Sequence, residues 1–177
     1  AAFDAVIARM RAQLAERTAT LELSAARAGD TLNIDVALLN LTGHKFPSGY
    51  PSRRAFLRVI VRDAKDALVF RSGDIDAAGR LIDGAGQPLA SELFGGPVQP
   101  HHREITSGDV AQVYESLMAD KQGQPAFRLL RGHSFAKDNR LLPAGWSTGH
   151  PDAARTSPAG VGDDPDFHAA GDTTRYK

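Results

Sequence analysis

Residues 20–38 read TLELSAARAGDTLNIDVAL, and this stretch decides the class of fold. Its second half alternates apolar and polar side chains, which is the period of a β-strand with one buried face. Ala28, Gly29 and Asp30, between the two halves, have the composition of a turn. The stretch therefore predicts a β-hairpin with one face in water and the other on a core.

Strand signals continue along the chain, separated by turns and long irregular stretches. Four further runs have the composition of strands: residues 55–62, 67–71, 110–118 and 125–131. The last two flank a turn at 121–123. Periodicity alone leaves a short helix open for residues 110–118. Residues 72–100 and 138–171 lack periodicity and are interpreted as irregular segments. The chain is thus expected to be mainly β, an antiparallel, Ig-like β-sandwich with long irregular loops.

One N-terminal helix is predicted in front of the strands. Its apolar stripe consists of Phe3, Val6, Ile7, Met10 and Leu14. The stripe is expected to cover one end of the sheet core or a preceding region. The predicted organisation is therefore an N-terminal helix at 1–17 and a β-sandwich domain at 18–177.

Composition narrows the classes of function. The 177 residues suffice for one domain with a core. Lysine plus arginine and aspartate plus glutamate are both 21, and this zero net charge argues against binding to nucleic acid or an anionic membrane. No apolar run is long enough to span a bilayer. Because the chain has no cysteine, it has no thiolate ligand and no attachment point for a covalently bound haem.

The loop at residues 41–54 is the first candidate for a functional segment. It reads LTGHKFPSGYPSRR and is restricted by two glycines and two prolines. A rigid loop on a strand scaffold is a common place for function, and this one carries His44, Arg53 and Arg54. The alternative is a stiff strand connection in which His44 caps a turn.

Other polar residues form weaker patterns. A mononuclear metal site built from His44, His101 and a carboxylate is one hypothesis, although no ligand-spaced histidine motif occurs. Calcium is a second hypothesis for two acidic groups, although the EF-hand pattern is absent. These groups are Asp74 with Asp76, and Asp163 with Asp164 and Asp166. No nucleophile elbow, phosphate loop or dinucleotide fingerprint is present, so no catalytic residue is assigned.

An ordered series of short stretches resembles a known family. The stretches are TGHKFPSGYPSRRAF (42–56), VFRSG (69–73), PHHREI (100–105), QVYES (112–116), KDNRLLP (137–143), DPDF (164–167) and GDTTRY (171–176). In this order they resemble the C-terminal β domain that follows the haem-binding part of certain bacterial multihaem c-type cytochromes. The resemblance covers about residues 18–177.

The resemblance implies an exported electron-transfer protein in the periplasm or outside the cell. Helix 1–17 would be the tail of a preceding haem-binding region, and in similar proteins the β domain runs past residue 177. The c-type haem would be attached outside this chain, which lacks Cys-x-x-Cys-His. The implied distal ligand is His44 first, then His101 and His102, with Arg53 and Arg54 near the haem propionates or a partner. The implied partners are the haem-bearing region and redox proteins.

Three functional hypotheses follow. The first is a non-catalytic accessory domain that supports electron transfer by packing on a neighbouring haem and offering it a histidine. The second is a structural or protein-interaction β module without haem contact. The third, and the least favoured, is a His/Asp metal-dependent hydrolase on the irregular loops. The chain is thus expected to be an electron-transfer component rather than an enzyme.

Overall fold

The computed structural model describes residues 2–177, apart from the side chain of His168. It contains helix α1 (Ala2–Glu16), a short helix α2 (Ala153–Thr156) and three 3-10 turns at Ala90–Glu92, Leu129–Arg131 and Asp166–His168. Within the described residues the strands are β1 (Ala19–Ala28), β2 (Thr31–Asn40), β3 (Arg54–Phe56), β4 (Val59–Arg62), β5 (Leu68–Ser72), β6 (Asp74–Ile75), β7 (Leu81–Ile82), β8 (Glu104–Ile105), β9 (Val113–Ala119), β10 (Pro125–Ala126), β11 (Ser134–Asp138) and β12 (Gly171–Tyr176). The chain is 35% strand and 15% helix, which confirms the mainly β prediction with one N-terminal helix.

The predicted hairpin forms the first two strands of the main sheet. β1 and β2 pair antiparallel along their whole length, and the sheet continues in the order β1-β2-β12-β8. Only the β12–β8 pair is parallel among the described strands. Alternate residues of β2, Ile34, Val36 and Leu38, are buried on its inner face. Their cross-strand partners on β12 are Tyr176, Thr174 and Asp172, so β12 brings three polar-bearing side chains to the inner face.

The remaining strands form smaller sheets around the same core. β9 pairs with β10, β11 and β3, and β4–β5 and β6–β7 are separate antiparallel hairpins. The main core cluster includes Leu57, Tyr114, Leu141 and Phe167 together with the inner face of β2. Several antiparallel sheets around one core are compatible with a sandwich, and the narrower Ig-like arrangement stays a prediction.

Some predicted boundaries were wrong. The strand expected over 125–131 ends at Ala126, and a 3-10 turn follows. Residues 113–119 are a strand, which excludes the helical alternative for most of that segment. The strand β11 had no clear signal, because its Ser134–Asp138 sequence does not alternate apolar and polar residues.

The apolar stripe of α1 lies in solvent. Phe3 is 85% exposed and Leu14 is 69% exposed, and α1 has no buried residue. The core alternative for this stripe was therefore wrong. Next to it, Leu21 and Leu23 of β1 lie on the inner face, because they pair with Leu38 and Val36, yet Leu23 is 63% exposed. The inner face of β1 thus has no covering layer within the described residues.

No helix within residues 2–177 has both the length and the apolar character needed to cross a membrane.

Candidate functional site: a buried His–Asp cluster

A cluster of buried polar side chains lies where the main sheet meets β9. It is built on His101, which precedes β8, and on four residues from distant segments. These are Gln112, just before β9, Asn139, just after β11, Asp164, before the 166–168 turn, and Asp172 of β12. We call these five residues the His101 cluster. The side chain of His101 is 2% exposed, so the cluster is inside the protein.

His101 faces two carboxylates through one ring nitrogen. Its Nε2 lies 3.1 Å from Asp164 Oδ2 and 3.9 Å from Asp172 Oδ1. The ring contacts Phe167 edge-on at 4.9 Å between centroids, and Tyr114 stacks beyond Phe167. The phenol of Tyr114 donates a hydrogen bond of 2.6 Å to Asp172 Oδ2. Aromatic packing thus holds the imidazole in place against the acids.

The tautomer of His101 follows from the side-chain amides of Gln112 and Asn139, which lie at its Nδ1 atom. Gln112 Oε1 accepts from the backbone N–H of His102, so Gln112 Nε2 must be the group 3.0 Å from His101 Nδ1. Asn139 is fixed in the same way, because its Oδ1 accepts from the backbone N–H of Glu115 and its Nδ2 lies 3.2 Å from Nδ1. Nδ1 therefore accepts, and the proton of a neutral His101 is on Nε2, donated to Asp164.

This tautomer argues against a metal ion in the cluster. His101, Asp164 and Asp172 place three possible ligand atoms within 4.8 Å of one another. A metal-binding imidazole normally donates its other N–H to an oxygen, whereas Nδ1 of His101 faces two N–H donors. Coordination through Nε2 would require a deprotonated ring or the loss of both amide bonds. The arrangement fits a hydrogen-bonded His–carboxylate network better than a metal site.

The charges of the cluster are only partly compensated. Asp164 has Arg103 at 3.6 Å, but the partners of Asp172 Oδ2 are the neutral groups of Gln112 and Tyr114. Burial raises the pKa of Asp172 above its ordinary value of 3.8, although those hydrogen bonds oppose the shift. Burial and the nearby Asp172 charge also raise the pKa of Tyr114, which stays a donor. The ionised form of Asp172 is thus disfavoured in the core.

An Asp172→Asn variant tests this conclusion. Because the folded-state pKa of Asp172 is raised, its ionisation costs stability in the pH range above its ordinary value of 3.8. We expect the variant to gain stability relative to the wild type as the pH rises from 4 to 7. Denaturant titrations at several pH values measure the difference, and a difference that falls with pH would contradict the assignment.

The predicted haem ligands lie in three different environments. His44 is exposed, whereas His101 is inside the cluster with both nitrogens engaged. His102 is half-buried, burial lowers its pKa, and its Nε2 lies 3.3 Å from the amide nitrogen of Gln99. The structure does not bring His44 and His101 into one metal group, so it does not assemble the mononuclear site that combined them.

The two predicted arginines, Arg53 and Arg54, have different partners. Arg54 makes a two-pronged salt bridge to Glu92, with 2.8 Å between Nη2 and Oε2, and this bond raises its pKa. Arg53 is exposed and donates to the carbonyl of Ser48 at 3.3 Å. Arg53 is therefore the one of the pair whose charge is not already matched by a carboxylate in the described contacts.

Three of the five acidic residues suggested for calcium have carboxylates with other partners. Asp74 binds Arg58 at 2.9 Å, and Asp76 binds Arg80 and two backbone N–H groups of its own turn. Asp164 belongs to the His101 cluster. Calcium stays an untested hypothesis for this chain.

Residues outside the sequence-based candidates complete the buried polar system. Lys137 is almost fully buried and donates to Glu115 Oε1 at 3.1 Å and to the carbonyl of Val113. Burial lowers the pKa of Lys137. Hydrogen bonds from Arg140 and Lys45 lower the pKa of Asp138 against the opposing effect of burial. The stretches that carry the family resemblance, 112–116 and 137–143, were the available signal for most of these residues.

Comparison of the chain with family models, curated proteins and solved structures finds no significant match. The resemblance to multihaem cytochromes is therefore carried by the sequence stretches alone.

Proposed function

We propose that this chain is a non-catalytic accessory domain of an exported multihaem cytochrome, in the periplasm or outside the cell. The domain packs on a haem-bearing region and offers His44 to a neighbouring haem. The observation that carries the proposal is an exposed apolar surface that begins at the end of the main sheet from which the His44 loop leaves. We call it the α1/β1 surface; it consists of the α1 stripe with Leu21 and Leu23.

The α1/β1 surface and His44 lie at the same end of the main sheet. The backbone N–H of Leu41, after β2, donates to the carbonyl of Thr18, before β1. Asn40, on the inner face of β2, donates to the carbonyl of His44 at 2.7 Å. The start of β1, from which the α1/β1 surface extends, is therefore close to the base of the His44 loop. Large exposed apolar surfaces beside polar groups are typical of interaction sites.

The hydrogen bonds of His44 suit a metal ligand. Its Nδ1 lies 3.1 Å from the carbonyl of Lys45, an acceptor, so the ring proton is on Nδ1 and Nε2 carries the lone pair. This is the arrangement found in ligating histidines, and the opposite of His101. Thr42 Oγ1, 3.2 Å from Nδ1, further orients the ring. A haem iron would supply the electron-transfer chemistry, and this chain would supply the imidazole.

A second candidate function is a protein-interaction module without haem contact. The α1/β1 surface favours it as well, because apolar docking needs no ligand at His44. The two functions differ in the role of His44 alone, so one variant distinguishes them.

The test uses a water-soluble haem c peptide whose ferric iron has one open axial position. We expect the protein to shift the Soret band of the peptide toward the low-spin form, and His44→Ala to weaken this effect at least ~10-fold. His133, which is also exposed, provides the matched control as His133→Ala. A Soret shift with the His44→Ala variant equal to that with the wild type would contradict haem ligation by His44 and would favour the protein-interaction module. A visible spectrum with a pyridine haemochrome assay first shows whether haem travels with the purified chain.

A further inference from the structure

We propose that residues 127–131, which we call the 127–131 turn, dock on the headgroup region of an anionic lipid bilayer. The turn reads FRLLR, so three apolar side chains and two arginines are adjacent in the chain. It connects β10 to β11 at the edge of the β10-β9-β11 sheet. The proposal does not depend on the proposed haem function.

The apolar side chains of the 127–131 turn project into solvent. Phe127 is 79% exposed and Leu130 is 102% exposed, with Leu129 intermediate between buried and fully exposed. The backbone that carries them is nevertheless held in place. The N–H of Gly132 donates to the carbonyl of Leu129 at 3.0 Å, and a Cβ on Gly132 would lie 2.8 Å from the Cε atom of Met118 on β9. The turn therefore lies directly against the sheet and presents its apolar side chains outward.

The charges around the turn favour an anionic partner. Arg128 and Arg131 lie on either side of the two leucines in sequence, and Lys121 lines a surface hollow of about 230 Å³ together with Leu130 and Arg131. Among the described contacts, no carboxylate pairs with any of these three cations. Of the residues that line the hollow only Asp120 is acidic, and its Oδ1 accepts from two backbone N–H groups of its own turn. The zero net charge of the whole chain thus conceals a local excess of positive charge.

The shape of the turn favours a bilayer over an acidic protein. The exposure of Leu130 and Phe127 means that no neighbouring group forms a wall beside them, so the surface is convex. A protein partner would need a preformed pocket for each projecting side chain. A bilayer accepts such side chains between its acyl chains, while arginines at the same level bind lipid phosphates. Apolar projections flanked by unpaired cations are therefore complementary to an anionic lipid surface.

A fluorescent label tests the contact at the turn itself. Because the chain has no cysteine, Leu130→Cys carries a single NBD fluorophore. We expect its emission to rise and shift to the blue on addition of vesicles of phosphatidylcholine with phosphatidylglycerol, and to stay unchanged with phosphatidylcholine alone. Phe94→Cys is the matched control, because Phe94 is 106% exposed and has no lysine or arginine within three residues. An equal response at both positions, or no response at residue 130, would overturn the proposal.

Co-sedimentation of the unlabelled chain with the same vesicles tests the charges. We expect Arg128→Gln combined with Arg131→Gln to weaken binding about 30-fold, from about 5-fold for each lost charge. The control is Arg9→Gln combined with Arg11→Gln, because the exposed helix α1 is the competing membrane-binding element and should leave binding unchanged. A loss in the α1 variant without a loss in the 127–131 variant would assign the membrane contact to α1. Absence of binding by the wild type would leave the turn to an acidic protein, and either result would contradict the proposal.

Discussion

A Gln112→Leu variant is expected to lose about 3 kcal/mol of unfolding free energy. The fully buried amide of Gln112 accepts from the backbone of His102 and donates to Asp172 and His101. Leucine has a similar volume but removes one hydrogen bond from each of these partners, so that the backbone N–H of His102 loses its acceptor while Asp172 keeps only Tyr114 and His101 Nδ1 keeps only Asn139. Guanidinium denaturation followed by circular dichroism measures the loss.

The same experiment on Gln122→Leu provides the control. Gln122 is exposed in the turn between β9 and β10, so its side chain has little to lose on substitution. The expected change is within about 0.5 kcal/mol. Equal stability losses in the two variants would mean that the His101 cluster contributes nothing specific to folding.

A Glu115→Gln variant is expected to lose about 3 kcal/mol at pH 7, because it leaves Lys137 charged and buried without a counterion. The pKa of Lys137 is already lowered by burial from its ordinary 10.5. Between the lowered folded-state pKa and 10.5 the unfolded chain binds more protons, so stability rises with pH there. The difference in unfolding free energy between the wild type and the Glu115→Gln variant should therefore shrink as the pH rises from 7 toward 10.

Combining Glu115→Gln with Lys137→Met tests the cause. The double variant removes the buried ammonium and should recover most of the lost stability at pH 7, since an apolar side chain of similar length replaces the charge. Glu104→Gln, which breaks the exposed pair of Glu104 with Lys177, should have little effect. No recovery in the double variant would mean that Glu115 acts through another contact, such as Arg54 across from it on β3.

The sequence predicted the elements whose signals are local. The alternation in residues 31–38 and the turn at 28–30 specified the β1–β2 hairpin, and the stripe from Phe3 to Leu14 specified α1. It did not predict that this stripe would be exposed, because periodicity shows that a face is apolar and not what covers it. β11 was not predicted from the sequence, because its formation depends on pairing with β9 and its own sequence carries no local strand signal.

The buried cluster could be predicted only in part. His101 was singled out by its neighbours in sequence, but Gln112, Asn139 and Asp172 come from separate segments that only the tertiary fold brings together. The role of His101 could not be read from residue type either. Its tautomer is set by two amides whose orientation depends on backbone groups of His102 and Glu115.

The resemblance has a structural side that the sequence alone did not reveal. The stretches 100–105, 112–116, 137–143 and 171–176 each supply a residue of the His101 cluster. The ordered series therefore describes a buried hydrogen-bond network as well as a possible function. A likeness in these stretches indicates a similar core, and His44, outside that network, carries the functional part of the hypothesis.

The position of β12 between β2 and β8 has a consequence for how the chain folds. The β1–β2 hairpin can form from neighbouring residues, but β2 stays without its second neighbour until residues 171–176 have been synthesised. Such a high contact order predicts slow final folding. Until that step, the edge of β2 that pairs with β12 is an open template, so an intermediate in which residues 171–176 have not yet paired would be the form most prone to bind chaperones or misassemble.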